Sequence, residues 1–239
     1  MISIIIPCKN EADNLAALIP EIETAMQGRE IEIIIVDDGS TDHTADFISA
    51  EREKRDCDIR HLRHDKSGGK SAAMRTGFFA AHGEISAVLD GDGQNNPADI
   101  PRLIDALLAD KGNAGLVSGH RTNRKHTAIK NLSSKFANKL RRGLLKDGTS
   151  DAGCGHKVAR TDLFRRLPYF KNYHRFLGAL VCQEGYTVLN VEVVDRERTH
   201  GTSNYGILDR GLAGALDLLG VWWLNHRRLG QPHGHEVER

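Results

Sequence analysis

Ile31-Glu32-Ile33-Ile34-Ile35-Val36-Asp37-Asp38-Gly39-Ser40 is an almost unbroken apolar run that stops abruptly in two carboxylates, a glycine and a hydroxyl. A β-rich run that is apolar at consecutive positions fits a strand buried on both faces, as in a parallel sheet covered by helices. The chain start has the same form: Ile2 to Ile6 ends at Pro7, followed by Cys8-Lys9-Asn10-Glu11. Further along, Ile85 to Leu89 ends in Asp90-Gly91-Asp92-Gly93. Shorter strands are expected around Ile59 to Leu62, Leu116 to Gly119 and Val188 to Val194. Between them lie helical patterns: Leu15, Leu18, Ile19, Ile22 and Met26; a segment from about Asp42; a small-residue run from Lys70 to Ala81; and Pro97 to Ala109, with proline near its start. Pro20 inside the first of these predicts a kink or a late start. Strands alternating with helices predict an α/β fold, a mostly parallel sheet with helices on both faces. The polar clusters then collect at the carboxyl edge, where open α/β sheets bind ligands.

Composition narrows the function. At 239 residues with 39% apolar content, the chain is long enough for one well-buried core. Lys+Arg 33 against Asp+Glu 32 leaves no global basic field for nucleic acid, and aromatics at 5% argue against base stacking. Four cysteines, Cys8, Cys57, Cys154 and Cys182, have no metal-like spacing and read as reduced thiols. The first apolar run is too short for a signal-peptide core, and the longest late run, Leu218 to Leu224, is too short to span a bilayer. Positive charge is nevertheless concentrated locally. Residues 121 to 146 hold nine Lys and Arg and no acidic residue, either a solvated helix face or a surface for phosphates. The helix expected over Ile207 to Leu224 places Leu208, Leu212, Ala215, Leu219 and Trp222 on one face. That face is either core or, with Trp223 and Arg227-Arg228, an interfacial anchor.

Gly68-Gly69-Lys70-Ser71 is not a phosphate loop of the Walker type, because His64 stands where the first glycine is required. Asp90-Gly91-Asp92 is more informative. Side chains two apart on an extended segment point the same way, so two carboxylates converge beyond a strand end. Hard oxygen ligands on so short a segment suit Mg²⁺ or Mn²⁺ completed by substrate phosphates and water, with Gln94 as a further oxygen donor. Alone, the same triplet also reads as a solvated Asp-Gly turn.

The combination of sites resembles the inverting GT-A glycosyltransferases, in the branch of dolichyl-phosphate (polyprenyl-phosphate) mannosyltransferases. Pro7-Cys8-Lys9-Asn10-Glu11-Ala12-Asp13-Asn14-Leu15 resembles that family's P-x-x-N-E-x-x-N-L, and Val36 to Asp42 its V-D-D-G-S-x-D. Gly69-Lys70 with Ala73 and Gly77, Asp90 to Gln94, Asp151 to Lys157 (D-x-x-x-G-F-K) and Arg198 to Tyr205 (R-x-x-G-x-S-K-Y) follow in family order. The resemblance implies a Rossmann-like GT-A domain over residues 1–229, with a nucleotide-binding half to about 121, an acceptor half from 122, and a disordered tail over 230–239. It implies that Pro7, Glu11 and Asp38 hold the nucleoside, and that Asp90, Asp92 and Gln94, with Gly91 between, hold the metal and diphosphate. Arg121, Lys130 and Arg198 are then expected to face the phosphates, and Asp151 to belong to the same binding set. Three departures stand out: Asn204 in place of a lysine, His156 in place of an aromatic, and Gly91 in place of an alanine.

These readings lead to a metal-dependent transferase, using Mg²⁺ or Mn²⁺, that moves a sugar from a nucleotide donor (GDP-mannose or a UDP-hexose) to a polyprenyl or dolichyl phosphate. Its expected place is cytoplasmic and peripheral to the membrane surface, with no nucleic-acid partner. A phosphate acceptor is largely dianionic at neutral pH and needs no protein base. A saccharide or glycolipid hydroxyl acceptor would need one, and Glu184 is the sequence's candidate, although Cys182-Gln183-Glu184-Gly185 also reads as a helix end. A third possibility is a protein that grips a nucleotide sugar without turning it over.

Overall fold

The computed structural model describes residues 1–122, 141–196 and 207–227, with side chains from 214 onward in the last segment. Lys130, Arg198, Asn204, most of the basic segment and the expected tail lie outside the described residues.

Seven strands make one sheet: β1 (Ile2–Cys8), β2 (Ile31–Asp37), β3 (Asp58–Arg63), β4 (Ile85–Val88), β5 (Ala114–Arg121), β6 (Lys157–Arg160) and β7 (Thr187–Val193). Their spatial order is β3-β2-β1-β4-β6-β5-β7. Among the described strands only β6 is antiparallel to its neighbours, β4 and β5. The sequence does not announce β6. Lys157-Val158-Ala159-Arg160 is too short to show a period, and its strand state comes from the slot between β4 and β5.

The helices are α1 (Ala12–Ala25), α2 (Thr44–Lys54), α3 (Lys70–Ala80), α4 (Ile100–Ala109), α5 (Thr161–Arg166), α6 (Leu177–Gln183) and α7 (Ile207–Arg227). They cover both sheet faces. On β1, Ile4 and Ile6 join Leu15, Leu18 and Ile22 of α1 and Leu103 and Ile104 of α4, whereas Ile5 points to Met74 and Phe78 of α3 and Leu177 of α6. The period of two is therefore present inside an unbroken apolar run, and each parity has its own core.

One expectation is corrected, and one open alternative is resolved. Helix α1 runs through Pro20 with no late start. The missing N–H would have met the carbonyl of Ala16, an exposed residue, so the lost bond falls on the solvent side of the helix. In α7 the packed residues are Leu218 and Val221, against Leu145, Phe176 and Ala179. Leu219 and Trp222, whose face the spacing left as either core or interfacial anchor, are 56% and 39% exposed, and Leu216 and Trp223 are 64% and 57% exposed. The anchoring contacts of α6 and of Asn172, which donates to Asp217 at 2.9 Å, rotate the helix so that this stripe points outward.

Candidate active site

The carboxyl ends of β2, β1 and β4 share one edge with the amino end of β6, because β6 runs the other way. Four polar groups meet there in spatial order.

Farthest out, at the end of β2, Asp38 is buried and accepts four hydrogen bonds from the loop before α3. The donors are Ser67 Oγ (2.6 Å), His64 Nδ1 (2.7 Å) and the backbone N–H groups of Gly68 and Gly69 (both 2.8 Å). Burial works to raise its pKa, but these donors outweigh it and hold the carboxyl below its ordinary value. Asp37 caps the turn by accepting from the Ser40 N–H at 2.7 Å. The result is a rigid floor at the position where the resemblance puts the nucleoside.

Next, at the end of β1, Asn10 and Glu11 are tied to the β2 turn. Asn10 N–H donates to Ser40 Oγ, Thr41 N–H to Asn10 Oδ1, and Glu11 N–H to Thr44 Oγ1. Glu11 also accepts from Asn14 Nδ2 at 2.6 Å. Pro7 is buried, and its carbonyl receives the Gly91 N–H at 3.4 Å.

The third group is Asp90-Gly91-Asp92, immediately past β4. Gly91 lies directly on β1: a Cβ there would stand 2.8 Å from Cys8 Cβ and 3.3 Å from Pro7 O. That close approach is the physical reason for glycine where the family more often has alanine. Asp90 is half-buried and ion-paired to Lys70 Nζ at the start of α3. Burial opposes its ionisation, but Lys70 prevails and keeps the carboxyl below its ordinary value. Asp92 accepts the Gln94 N–H at 3.2 Å, which closes the turn. Asp90 Oδ1 is buried with no hydrogen bond beyond the Lys70 ion pair. Among the described residues no cluster of three or more His, Cys, Asp or Glu gathers for a metal. Two carboxylate side chains one residue apart, with the buried Asp90 Oδ1 short of hydrogen bonds, suit a hard divalent cation whose remaining oxygens come from a diphosphate and water.

The fourth group lies one strand further, at β6. Lys157 pairs in register with Val88 of β4 and Ser118 of β5. It is buried, and its Nζ donates to Ser118 Oγ at 3.2 Å. His174 and Arg175 approach from the short helix before α6, and His174 Nδ1 lies 2.8 Å from Ser71 Oγ. Lys70 and Lys157 stand within motifs of the family resemblance without an assigned role, and His174 and Arg175 belong to no motif. A lysine within buried Val158-Ala159 is a usable signal in hindsight, but nothing local marks the other pair.

Arg121 and Asp151 are brought together, at the end of β5. Arg121 donates to both Asp151 oxygens, at 2.6 and 3.0 Å, and to Asp195 at 3.0 Å. This guanidinium, expected to face a phosphate, already has two carboxylates around it, and they raise its pKa against the effect of burial. His156 is buried with its Nε2 N–H donating to Asn96 O at 2.9 Å. Burial lowers its pKa, so the ring packs neutral behind the Asp90 turn.

With this geometry in place, the likenesses to known proteins are informative. The model of glycosyl transferase family 2 matches residues 3–167. A dodecaprenyl-phosphate galacturonate synthase of Rhizobium johnstonii is 31% identical over 97% of this chain and 69% of its own length. An undecaprenyl-phosphate 4-deoxy-4-formamido-L-arabinose transferase of Edwardsiella ictaluri is 28% identical over 87% of this chain; the match spans 63% of that protein, so the chain corresponds to less than two thirds of it. The fold matches glucosyl-3-phosphoglycerate synthase from Mycobacterium tuberculosis, solved with Mn²⁺, uridine diphosphate and its product. The TM-score is 0.71 at 22% identity, covering 94% of this chain and 79% of that one. The same enzyme is also seen with Mg²⁺ and uridine diphosphate.

Proposed function

Since the chain belongs to glycosyl transferase family 2, we propose that it transfers one sugar from a nucleoside-diphosphate sugar to a polyprenyl phosphate at a membrane surface. Asp38 and Glu11 line the nucleoside's end of the site, and Asp90 and Asp92, with Gln94 beside them, hold the divalent cation on the donor's diphosphate. That cation, when bound, neutralises the charge that develops on the departing diphosphate. Lys70, paired to Asp90, supplies a second positive group at the same point. An oxygen of the acceptor phosphate forms the bond to the anomeric carbon while the bond from that carbon to the diphosphate breaks. The electron pair leaves on the diphosphate, no proton has to move, and attack opposite the leaving group inverts the centre.

The observation that carries this reading is the position of Glu184, the sequence's candidate for a base. It caps the carboxyl end of α6, three residues before β7 begins. Strand β7 is parallel to β5, so Glu184 sits at the amino edge of the sheet, whereas Asp90 lies at the carboxyl edge. A seven-residue strand separates the two edges by roughly 20 Å. At the catalytic edge, Asp151 and Asp195 are both engaged by Arg121. A dianionic phosphate acceptor needs no base, whereas a hydroxyl acceptor does. The relatives named for dodecaprenyl and undecaprenyl phosphate support the same class.

No helix among the described residues is long and apolar enough to cross a membrane. The exposed stripe of Leu216, Leu219, Trp222 and Trp223 on α7, with Arg227 at its end, suits a surface attachment. The deciding assay offers a nucleotide sugar with Mn²⁺ and compares lipid phosphate with saccharide acceptors. Sugar on the lipid phosphate is expected, and transfer to saccharides alone overturns the reading.

A further inference from the structure

Between α3, the loop 152–155, β6 and the turn ahead of α6 lies a cavity of about 160 Å³, lined by Lys70, Met74, Cys154, Lys157, His174 and Arg175 together with small residues of that loop. Its volume is that of about five waters, room for one phosphate group and its first substituent. The wall is strongly cationic. Lys70 is matched by Asp90, but among the described residues neither Lys157 nor Arg175 pairs with a carboxylate, and Lys157 has only the Ser118 hydroxyl as partner. The Lys157 ammonium is buried with one neutral oxygen in contact, and the carboxylates of Asp90 and Asp151 act on it without pairing with it, so its counter-charge is incomplete. The side chains around it register the excess. Burial first, then Lys70 and Arg175, push His174 down to about 3, and burial with Lys70 pushes Lys157 down to about 8.

The cavity also has a definite place relative to the donor. Across the edge, Asp38 ends β2, Glu11 follows β1, Asp90 follows β4, and Lys157 opens β6, one strand spacing (about 4.8 Å) beyond β4. A Cβ on Gly155 would stand 2.7 Å from Asp90 Oδ2, so the cavity's loop touches the carboxylate assigned to the diphosphate. The nucleoside extends from that point toward β1 and β2. The cavity is therefore on the other side of the diphosphate, the side from which an in-line nucleophile must come.

We propose that this cavity seats the acceptor's phosphate monoester, with Lys157 and Arg175 as the charged donors to its oxygens. The assignment rests on the reading of the acceptor as a polyprenyl phosphate. It gives a role to Lys157, which the motif carries without one, and to Arg175, which no motif includes, and it moves the acceptor's charge partner away from Arg121, whose guanidinium is already matched.

Geranyl phosphate and uridine and guanosine diphosphates, titrated calorimetrically in Mg²⁺ buffer, test it in the parent protein, Lys157→Gln and Arg175→Gln. Each substitution is expected to weaken geranyl phosphate at least tenfold, the scale of one charge-assisted contact, and to leave the preferred nucleoside diphosphate within about twofold. Arg175 is only half-buried, so its variant answers the question even where Lys157→Gln fails to fold. Unchanged geranyl phosphate binding in a folded variant overturns the proposal. So does loss of nucleoside diphosphate affinity in its place, which would make the cavity the donor's own. Lys157-dependent geranyl phosphate binding in a protein that glycosylates only saccharides would uphold the pocket and overturn the acceptor reading, so the two fail separately.

Discussion

Asp38 uses both carboxylate oxygens on the loop before α3, which gives the residue a structural role beside any contact with a nucleoside. Its folded-state pKa is depressed. The stability it contributes is therefore fully present above the unfolded value near 3.9 and is lost as pH falls through the folded value. Asp38→Asn should cost about 1–3 kcal/mol at pH 7, and the gap between variant and parent should narrow below about pH 4, as denaturant melts at the two pH values would show. A gap that stays constant with pH would mean the charge is not what the loop requires. Asp90 and Asp92 predict differently. Neither fills core volume, so Asp92→Ala should remain folded yet lose transfer and lose Mn²⁺-dependent stabilisation by nucleotide; activity near the parent rate in excess chelator would refute the metal assignment. Arg121→Ala, in contrast, takes from Asp151 and Asp195 the guanidinium they share and should destabilise by about 3–5 kcal/mol, visible as a lowered melting temperature before any kinetic effect is read.

At the scale of elements, α7 is the informative case. Its spacing is equally consistent with a buried helix and an interfacial one, because leucines and tryptophans serve both. Packing resolves the orientation: Leu218 and Val221 face Leu145 and Phe176, and the Trp223 stripe is left outside. If that stripe meets a bilayer, the protein should co-sediment with anionic liposomes. Basic residues near the surface contribute about 1 kcal/mol each and are screened by salt, whereas the tryptophans are not. Binding should fall but persist at high salt, and Trp222→Ala with Trp223→Ala should remove the persistent part. Equal high-salt binding in the double variant would move the attachment elsewhere. Strand β6 is the opposite case, an element without a signal of its own. Four residues become a strand because β4 and β5 offer unpaired backbone on both sides, and that choice carries Lys157 to the catalytic edge.

For the whole molecule, the sheet determines which charged groups act together. It separates Glu184 from Asp90 by the length of a strand, so Glu184→Gln should leave transfer within about twofold, measured at saturating donor; a loss on the order of 10²–10⁴-fold, the contribution of a general base, would restore the hydroxyl-acceptor alternative. Much of the architecture was legible in the sequence. Apolar runs ending in Asp-Asp-Gly-Ser and Asp-Gly-Asp-Gly specify buried parallel strands and the edge at which their polar ends collect, since burial on two faces and turn chemistry are local properties. The Asp-Asp-Gly-Ser and Asp-Gly-Asp clusters are legible in the same way, because each is contiguous in the chain. The cationic cavity is not. Lys70, Lys157 and Arg175 are scattered over a hundred residues, and no local pattern distinguishes a lysine paired with Asp90 from one left beside a serine. Likewise Arg121 reads as a free charge until β5 and the loops at 151 and 195 are brought together around it. Composition and periodicity record what each segment prefers by itself; counter-charge, burial and the side of the sheet on which a residue ends depend on segments distant in sequence, and those the tertiary structure alone decided.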